Sequence, residues 1–317
     1  MKKPIIDFHC DALSKMLLDP QLDFARDRRL DVNLHRLEEG GVKLQTFAIF
    51  LSDQLGPPKM EHILGQIEAF RERVVPLGVL PVQSVEDLDA LELGTAIGGL
   101  LSLEGADGLE GNLHYVRVCY EKGVRFLGLT WNYANWAADG IMEPRNGGFT
   151  PAGLELVKLC HELGIILDVS HLSIKGFWEL QELAEAAGKP FIASHSNAYH
   201  VCPHARNLRD DQVQAIIKLG GRIGVTFVPW FVKEGNKVSS RDLLPHIERI
   251  CSLGGATNLM FGSDFDGIET HLTDFRHAGH YANWQETLLK YYPEELVRGW
   301  LYDNAAAFLR TWLPSHK

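Results

Sequence analysis

The stretch "IIDFHCD" closes an apolar run with His9, Cys10 and Asp11. In an extended chain residues i and i+2 point the same way, so His9 and Asp11 face one side and Cys10 the other. An imidazole and a carboxylate converging from so short a segment make a good clamp for a divalent cation. They could equally form a hydrogen-bonded His–Asp pair, and the HxD spacing alone leaves both readings open. The same kinds of side chain recur where other apolar runs end: Glu104 after "GGLLSL", Asp168 and His171 in "ILDVSH", Ser194 and His195 in "FIASH", Asp264 and Asp266 in "FGSDFD". Trp131 and Asn132 follow "FLGLT".

Taken singly, His171 or His195 reads as a structural histidine. Taken together, three histidines, an aspartate and a glutamate at one end of a fold would bury several polar groups with nothing to pair them. That costs on the order of several kcal/mol, and a bound metal cluster removes the cost. Five N/O ligands exceed the three plus water of a single catalytic zinc, so two metals sharing one carboxylate fit the count better. Such a pair binds a hydroxide and polarises a substrate oxygen. Zinc suits these donors, as do Mn, Co and Fe.

The elements that would bring these residues together are β-rich runs alternating with amphipathic ones. Strands are expected over Pro4–His9, Leu44–Leu51, Ile97–Leu103, Phe126–Thr130, Ile165–Ser170, Phe191–Ser194, Ile223–Val228 and Asn258–Gly262. Helical patterns occupy Pro151–Leu163, Ile174–Ala187, Asp210–Leu219 and Leu243–Leu253, and one or two more helices fall within Pro293–Leu313. Glycine marks several returns to a strand, as in "CHELGIILDV", where it supplies the left-handed residue past a helix end. Near-continuous apolar strands alternating with helices mean a parallel sheet covered by helices. Eight such units predict a (β/α)8 TIM-type barrel with additional C-terminal helices, in which chemistry sits at the C-terminal strand ends. An open doubly wound sheet is the competing architecture, but no dinucleotide-binding fingerprint or P-loop is present. No linker divides the chain, so residues 1–317 are expected to form one hydrolase domain.

The 317 residues carry a formal charge of −10, which argues against nucleic acid and anionic membranes as partners. The five cysteines are scattered and form no CxxC pair, which fits a reduced, cytoplasmic setting. The N-terminus shows no signal-peptide pattern, and no run of about 18 uncharged apolar residues exists to cross a membrane. A homodimer is the default assembly.

The blocks "IIDFHCD", "LSLEGADGLEGN", "FLGLTWNYANWAADG", "LDVSHLS", "FIASHSNAYHVCPHARNLRDDQ" and "FGSDFDG" resemble, in order, the membrane dipeptidase (renal dipeptidase) family, peptidase family M19 of the amidohydrolase superfamily. The resemblance implies a barrel whose binuclear zinc site hydrolyses dipeptides with a metal-bridging hydroxide. His9 and Asp11 would hold one metal, His171 and His195 the other, and Glu104 would bridge them. Asp264 would be the acid/base that handles the proton of the attacking water and the leaving amine. Arg206 would grip the substrate carboxylate, a task suited to its two-pronged guanidinium. Without the resemblance, Arg206 reads equally as an ion pair with Asp210 or Asp211. The renal enzyme has a histidine in the "LT-x" block that helps bind substrate and oxyanion; here Trp131 stands there, with Asn132 beside it as a possible hydrogen-bond donor to the substrate.

Two other readings stay open. A different amidohydrolase would act on a lactone, cyclic amide or phosphoester, often with a carboxylated lysine between its metals, and no lysine ends an expected strand. A non-catalytic, metal-dependent dipeptide-binding protein is the other, motivated by Trp131. Trp230 and Phe231 could wall a pocket or pack on a partner; His271, His277 and His280 read as solvated loop residues.

Overall fold

A computed structural model describes residues 4–315. Its strands are β1 (Ile5–Asp7), β2 (Val42–Phe50), β3 (Val79–Pro81), β4 (Ile97–Glu104), β5 (Val124–Gly128), β6 (Ile166–Asp168), β7 (Phe191–Ala193), β8 (Arg222–Val225) and β9 (Leu259–Phe261). All pairings between them are parallel. Every strand but β3 belongs to a ring that runs β1-β2-β4-β5-β6-β7-β8-β9 and closes from β9 back to β1. Nine strands less β3 leaves the eight staves of the expected (β/α)8 barrel. β3 pairs with Ile97–Gly99 at the start of β4, on the edge that β5 takes from Leu101 onward.

The helices form where the local chemistry starts and stops them. Pro151–Leu163 begins with the Thr150 side chain accepting from Gly153 N–H and with proline in its first turn, and ends at Gly164 with φ 79°. Ile174–Ala187 is capped in the same way by Ser173 and ends at Gly188 with φ 63°. The C-terminal segment is helical through Glu294–Arg298, a wider π turn at Gly299–Asp303, and Asn304–Trp312.

Side chains of alternate strand residues fill the barrel interior. Ile6, Phe8, Leu44, Leu100, Phe126 and Ile166 form one buried cluster, closed at the base by Phe308 and Leu309 of the last helix. The other strand faces pack against the surrounding helices in a larger cluster that includes Leu101, Leu103, Leu127 and Leu167. Apolar packing thus occupies the lower barrel, and polar groups are left at the C-terminal mouth.

Two glycines at that mouth have a steric reason. A Cβ on Gly224 or on Gly262 would overlap the Ser194 carbonyl oxygen. Gly224→Ala is therefore expected to destabilise the barrel by about 3 kcal/mol, the upper range for overpacking. Chemical denaturation should show this as a lowered midpoint at unchanged slope.

Candidate metal centre

β1 ends at Asp7, two residues earlier than the sequence suggests. Ile6 and Phe8 point into the barrel, and strict alternation would turn His9 outward. Alternation breaks instead. The buried Asp7 carboxylate accepts from Ser263 N–H at 2.8 Å, Ser263 O–H at 2.6 Å and His9 N–H at 3.4 Å. That carboxylate pins the end of β1 to the turn after β9. His9 and Asp11 consequently reach the barrel mouth together, as their spacing predicts.

Glu104 lies at the end of β4 in phase with Leu100, and its two oxygens face opposite ways. Oε2 stands 3.3 Å from His9 Nε2, while Oε1 stands 2.8 Å from His171 Nε2 and 3.7 Å from His195 Nε2. His9 Nε2 is also 3.4 Å from Asp11 Oδ2 and 3.7 Å from Asp264 Oδ1. Despite this crowd, His9 Nε2 and Asp11 Oδ1 are buried with no hydrogen-bond partner. Donor atoms of His9, Glu104 and His195, and of His9, Asp11 and Asp264, each gather within 4.8 Å.

The other two imidazoles have their outer nitrogens fixed. His171 Nδ1 lies 2.9 Å from Asn132 Oδ1, which can only accept, so Nδ1 carries the proton. His195 Nδ1 lies 2.7 Å from Ser194 Oγ, whose own proton goes to Asp168 Oδ2. Both Nε2 atoms therefore present lone pairs, and they face each other at 2.9 Å. Two lone pairs at that distance repel unless a cation lies in reach of both. Burial and the Arg206 charge push His171 down to about 4, so it stays neutral and available as a ligand. The orphaned His9 and Asp11 atoms and these opposed lone pairs fit a group of divalent cations.

His9 differs. Burial would lower its pKa, but Glu104 and Asp11 outweigh this and raise it well above the ordinary range. A cation that binds there must expel this proton. Binding at His9 is thus expected to strengthen as pH rises, while the neutral His171 and His195 release none above about pH 5. Calorimetric titration of the metal in buffers of different ionisation enthalpy would count the protons.

Arg206 comes from the loop after β7 and is only 4% exposed. Its Nε and Nη1 have no partner, and Nη2 makes only a long 3.5 Å bond to His195 O. Neither Asp210 nor Asp211 pairs with it; Asp210 is taken by Arg249. Burial pulls the guanidinium down to about 10, with Asp264 and Glu104 opposing. Arg206 lines a cavity of about 170 Å³ together with Asp11, Glu104, Trp131, Asn132 and Asp264.

Asp264 and Asp266 both adopt left-handed backbone, at φ 64° and 68°. A Cβ on Gly267 would collide with the carboxylates of Asp11 and Asp264, so only glycine lets this turn close over the centre. Asp266 points away and accepts from Lys15 and from the Asp31 and Val32 N–H groups at 2.8–2.9 Å, anchoring the turn. Burial and the Asp11 and Glu104 charges raise Asp264 well above the carboxylate range, against the pull of His9 and Arg206.

Asp168 and Asn132, both marked in the sequence by their places after apolar runs, support the two imidazoles. Asp168 accepts from Ser170 and Ser194, and so stands behind His195. Asn132 lines the cavity, but its oxygen is held by His171, which leaves only Nδ2 for a bound molecule. Asn132→Leu is expected to lower metal affinity roughly 10- to 100-fold, the usual cost of losing the group that orients a ligating histidine; competition with a fluorescent chelator would measure it. Trp230 and Phe231 line the cavity. His271 pairs with Asp31 at 2.7 Å, and His277 and His280 stack on each other at 3.9 Å, so none of these three joins the centre.

A barrel whose mouth gathers histidines and carboxylates around facing lone pairs has the architecture of a metal-dependent hydrolase. The chain belongs to the membrane dipeptidase family, peptidase family M19, whose profile matches residues 1–312, and is therefore a metallopeptidase-type hydrolase acting on dipeptides. An uncharacterized protein in the PQQ-III 3′ region of Acinetobacter calcoaceticus is 30% identical over 280 residues, which span 77% of this chain and 88% of that protein. The dipeptidase aclJ of Aspergillus oryzae is 29% identical over 252 residues, 75% of this chain and 59% of its own. The crystal structure of dipeptidase AC superposes with a TM-score of 0.89 at 26% identity, covering 98% of this chain and 99% of that one. No described helix is long and apolar enough to cross a membrane.

Proposed function

We propose that this enzyme is a binuclear zinc dipeptidase. In this reading His9 and Asp11 would hold one ion, His171 and His195 the other, and Glu104 would bridge them. The carrying observation is the divided Glu104 carboxylate, with one oxygen toward His9 and the other toward His171 and His195. The unpartnered Arg206 across the same cavity supports a substrate that ends in a carboxylate. When bound, the metal pair polarises the scissile carbonyl and lowers the pKa of the attacking water. Arg206 forks onto the C-terminal carboxylate and fixes the peptide relative to the carbonyl. Asp264 accepts the proton of the attacking water and returns it to the amine nitrogen as the C–N bond breaks. Trp131, next to His171 with ring centroids 6.3 Å apart, supplies bulk where the renal enzyme has its histidine. Asn132 Nδ2 is then the side-chain donor that would face the developing oxyanion.

The test is incubation of zinc-loaded protein with a mixed pool of L,L and L,D dipeptides, with free amino acids read by mass spectrometry. Zinc-dependent release, abolished by chelation, is expected. Release from lactones or phosphotriesters and none from dipeptides would instead favour another amidohydrolase. Tight dipeptide binding without release would favour a binding protein.

A further inference from the structure

The side walls of the cavity carry information beyond the metal floor. Five of its lining residues ionise: Asp11, Glu104, His171, Arg206 and Asp264. In the reading above each is already engaged, four at the metal floor and Arg206 with the terminal carboxylate. The remaining walls are apolar in two groups. Phe50 and Trp131 lie together, ring centroids 5.4 Å apart, beside His171. On the other side Val228, Phe231 and Ile268 form a small apolar cluster separate from both barrel cores, with Trp230 against Phe231 at 5.8 Å. Arg206 belongs to this second side, its guanidinium carbon 5.4 Å from the Phe231 ring. Trp230 is 46% exposed at the cavity edge, a large aromatic surface that a bound molecule would cover.

We infer that the enzyme selects dipeptides whose two side chains are both uncharged and apolar, the C-terminal one seated on Val228, Trp230, Phe231 and Ile268 and the N-terminal one on Phe50 and Trp131. This rests on the dipeptidase reading, because it is the carboxylate on Arg206 that orients the peptide. A carboxylate anchored there puts its own residue's side chain along the Phe231 wall, and the residue across the scissile bond along the Trp131 wall. No lining charge is left to pair with a charged side chain on either wall, so such a substrate must lose hydration without compensation. An acidic side chain should lose most. A lysine loses less, because its ammonium can reach water past an apolar stem.

The experiment compares kcat/KM of the zinc-loaded enzyme for Ala-Leu, Ala-Asp, Leu-Ala and Asp-Ala, with Ala-Asn and Asn-Ala as uncharged controls of aspartate's size. Each leucine substrate should exceed its aspartate counterpart by roughly 10²-fold, and each asparagine substrate should fall between. Trp230→Arg, at an exposed position that leaves the core intact, should shift the Ala-Asp to Ala-Leu ratio at least about tenfold toward aspartate. The Asp-Ala to Leu-Ala ratio should stay where it is. Equal rates for leucine and aspartate substrates would overturn the inference while leaving the dipeptidase reading intact. A change in the N-terminal ratio instead, caused by the Trp230→Arg substitution, would overturn the assignment of the walls. No release from any dipeptide would remove the dipeptidase reading and this inference with it.

Discussion

Replacing Glu104 with alanine is expected to reduce dipeptide hydrolysis by roughly 10³-fold or more, the scale on which a single transition-state electrostatic contact operates. It should also lower metal content below two ions per chain. Among the described residues no other carboxylate reaches both sides of the centre: Asp11 and Asp264 cluster with His9, whereas Glu104 also contacts His171. Burial would favour its neutral form, yet the His9 charge holds it well below the ordinary carboxylate range, so it is a charge the centre has organised itself around. Alanine leaves a neutral gap between two donor sets and removes the anion that would offset the charge of bound cations. Elemental analysis alongside kcat/KM separates metal loss from misfolding when the circular dichroism is unchanged. A Glu104→Ala protein with full activity and two ions would show that Glu104 does not bridge.

Replacing Arg206 with methionine is expected to move activity and stability in opposite directions. A bidentate, charge-assisted contact with substrate would be lost, and kcat/KM should fall on the order of 10²- to 10³-fold, mainly through KM. The fold, however, buries this guanidinium with two of its nitrogens unpartnered. An unpaired buried charge destabilises, and a side chain of similar length without the charge should raise the melting temperature by several degrees. Arg206→Lys should rescue little, because an ammonium cannot fork onto a carboxylate. Calorimetry and a substrate-concentration series on the same preparation test both halves. Lowered stability together with unchanged KM would mean that Arg206 is structural.

Much of this fold is legible in the sequence, because parallel strands buried on both faces must be continuous apolar runs. All eight staves lie within or beside the runs that mark them, and Pro151–Leu163 and Ile174–Ala187 match their helical patterns to the residue. β3 escapes because three residues ending in proline make no periodic signal, and only its docking on the start of β4 makes it a strand. The gathering of His9, Asp11, Glu104, His171, His195 and Asp264 at one mouth follows from their strand-end positions. What is not legible is long-range. The slip of phase between Phe8 and His9 depends on Asp7 meeting Ser263, 256 residues away. The choice between an ion-paired and a free Arg206 depends on Arg249 taking Asp210. The engagement of Asn132 with His171 depends on the packing of the loops after β5 and β6. A local sequence pattern records none of these pairings.

In the proposed centre two cations share the Glu104 carboxylate and are required together for peptide cleavage. The most direct test is to strip the protein with a chelator, add Mn²⁺ in sub-stoichiometric steps, and follow amino-acid release and the electron paramagnetic resonance spectrum together. Activity that rises to a plateau only as the second equivalent binds, with an exchange-coupled manganese signal, is the predicted result. Full activity at one equivalent with an uncoupled signal would contradict it.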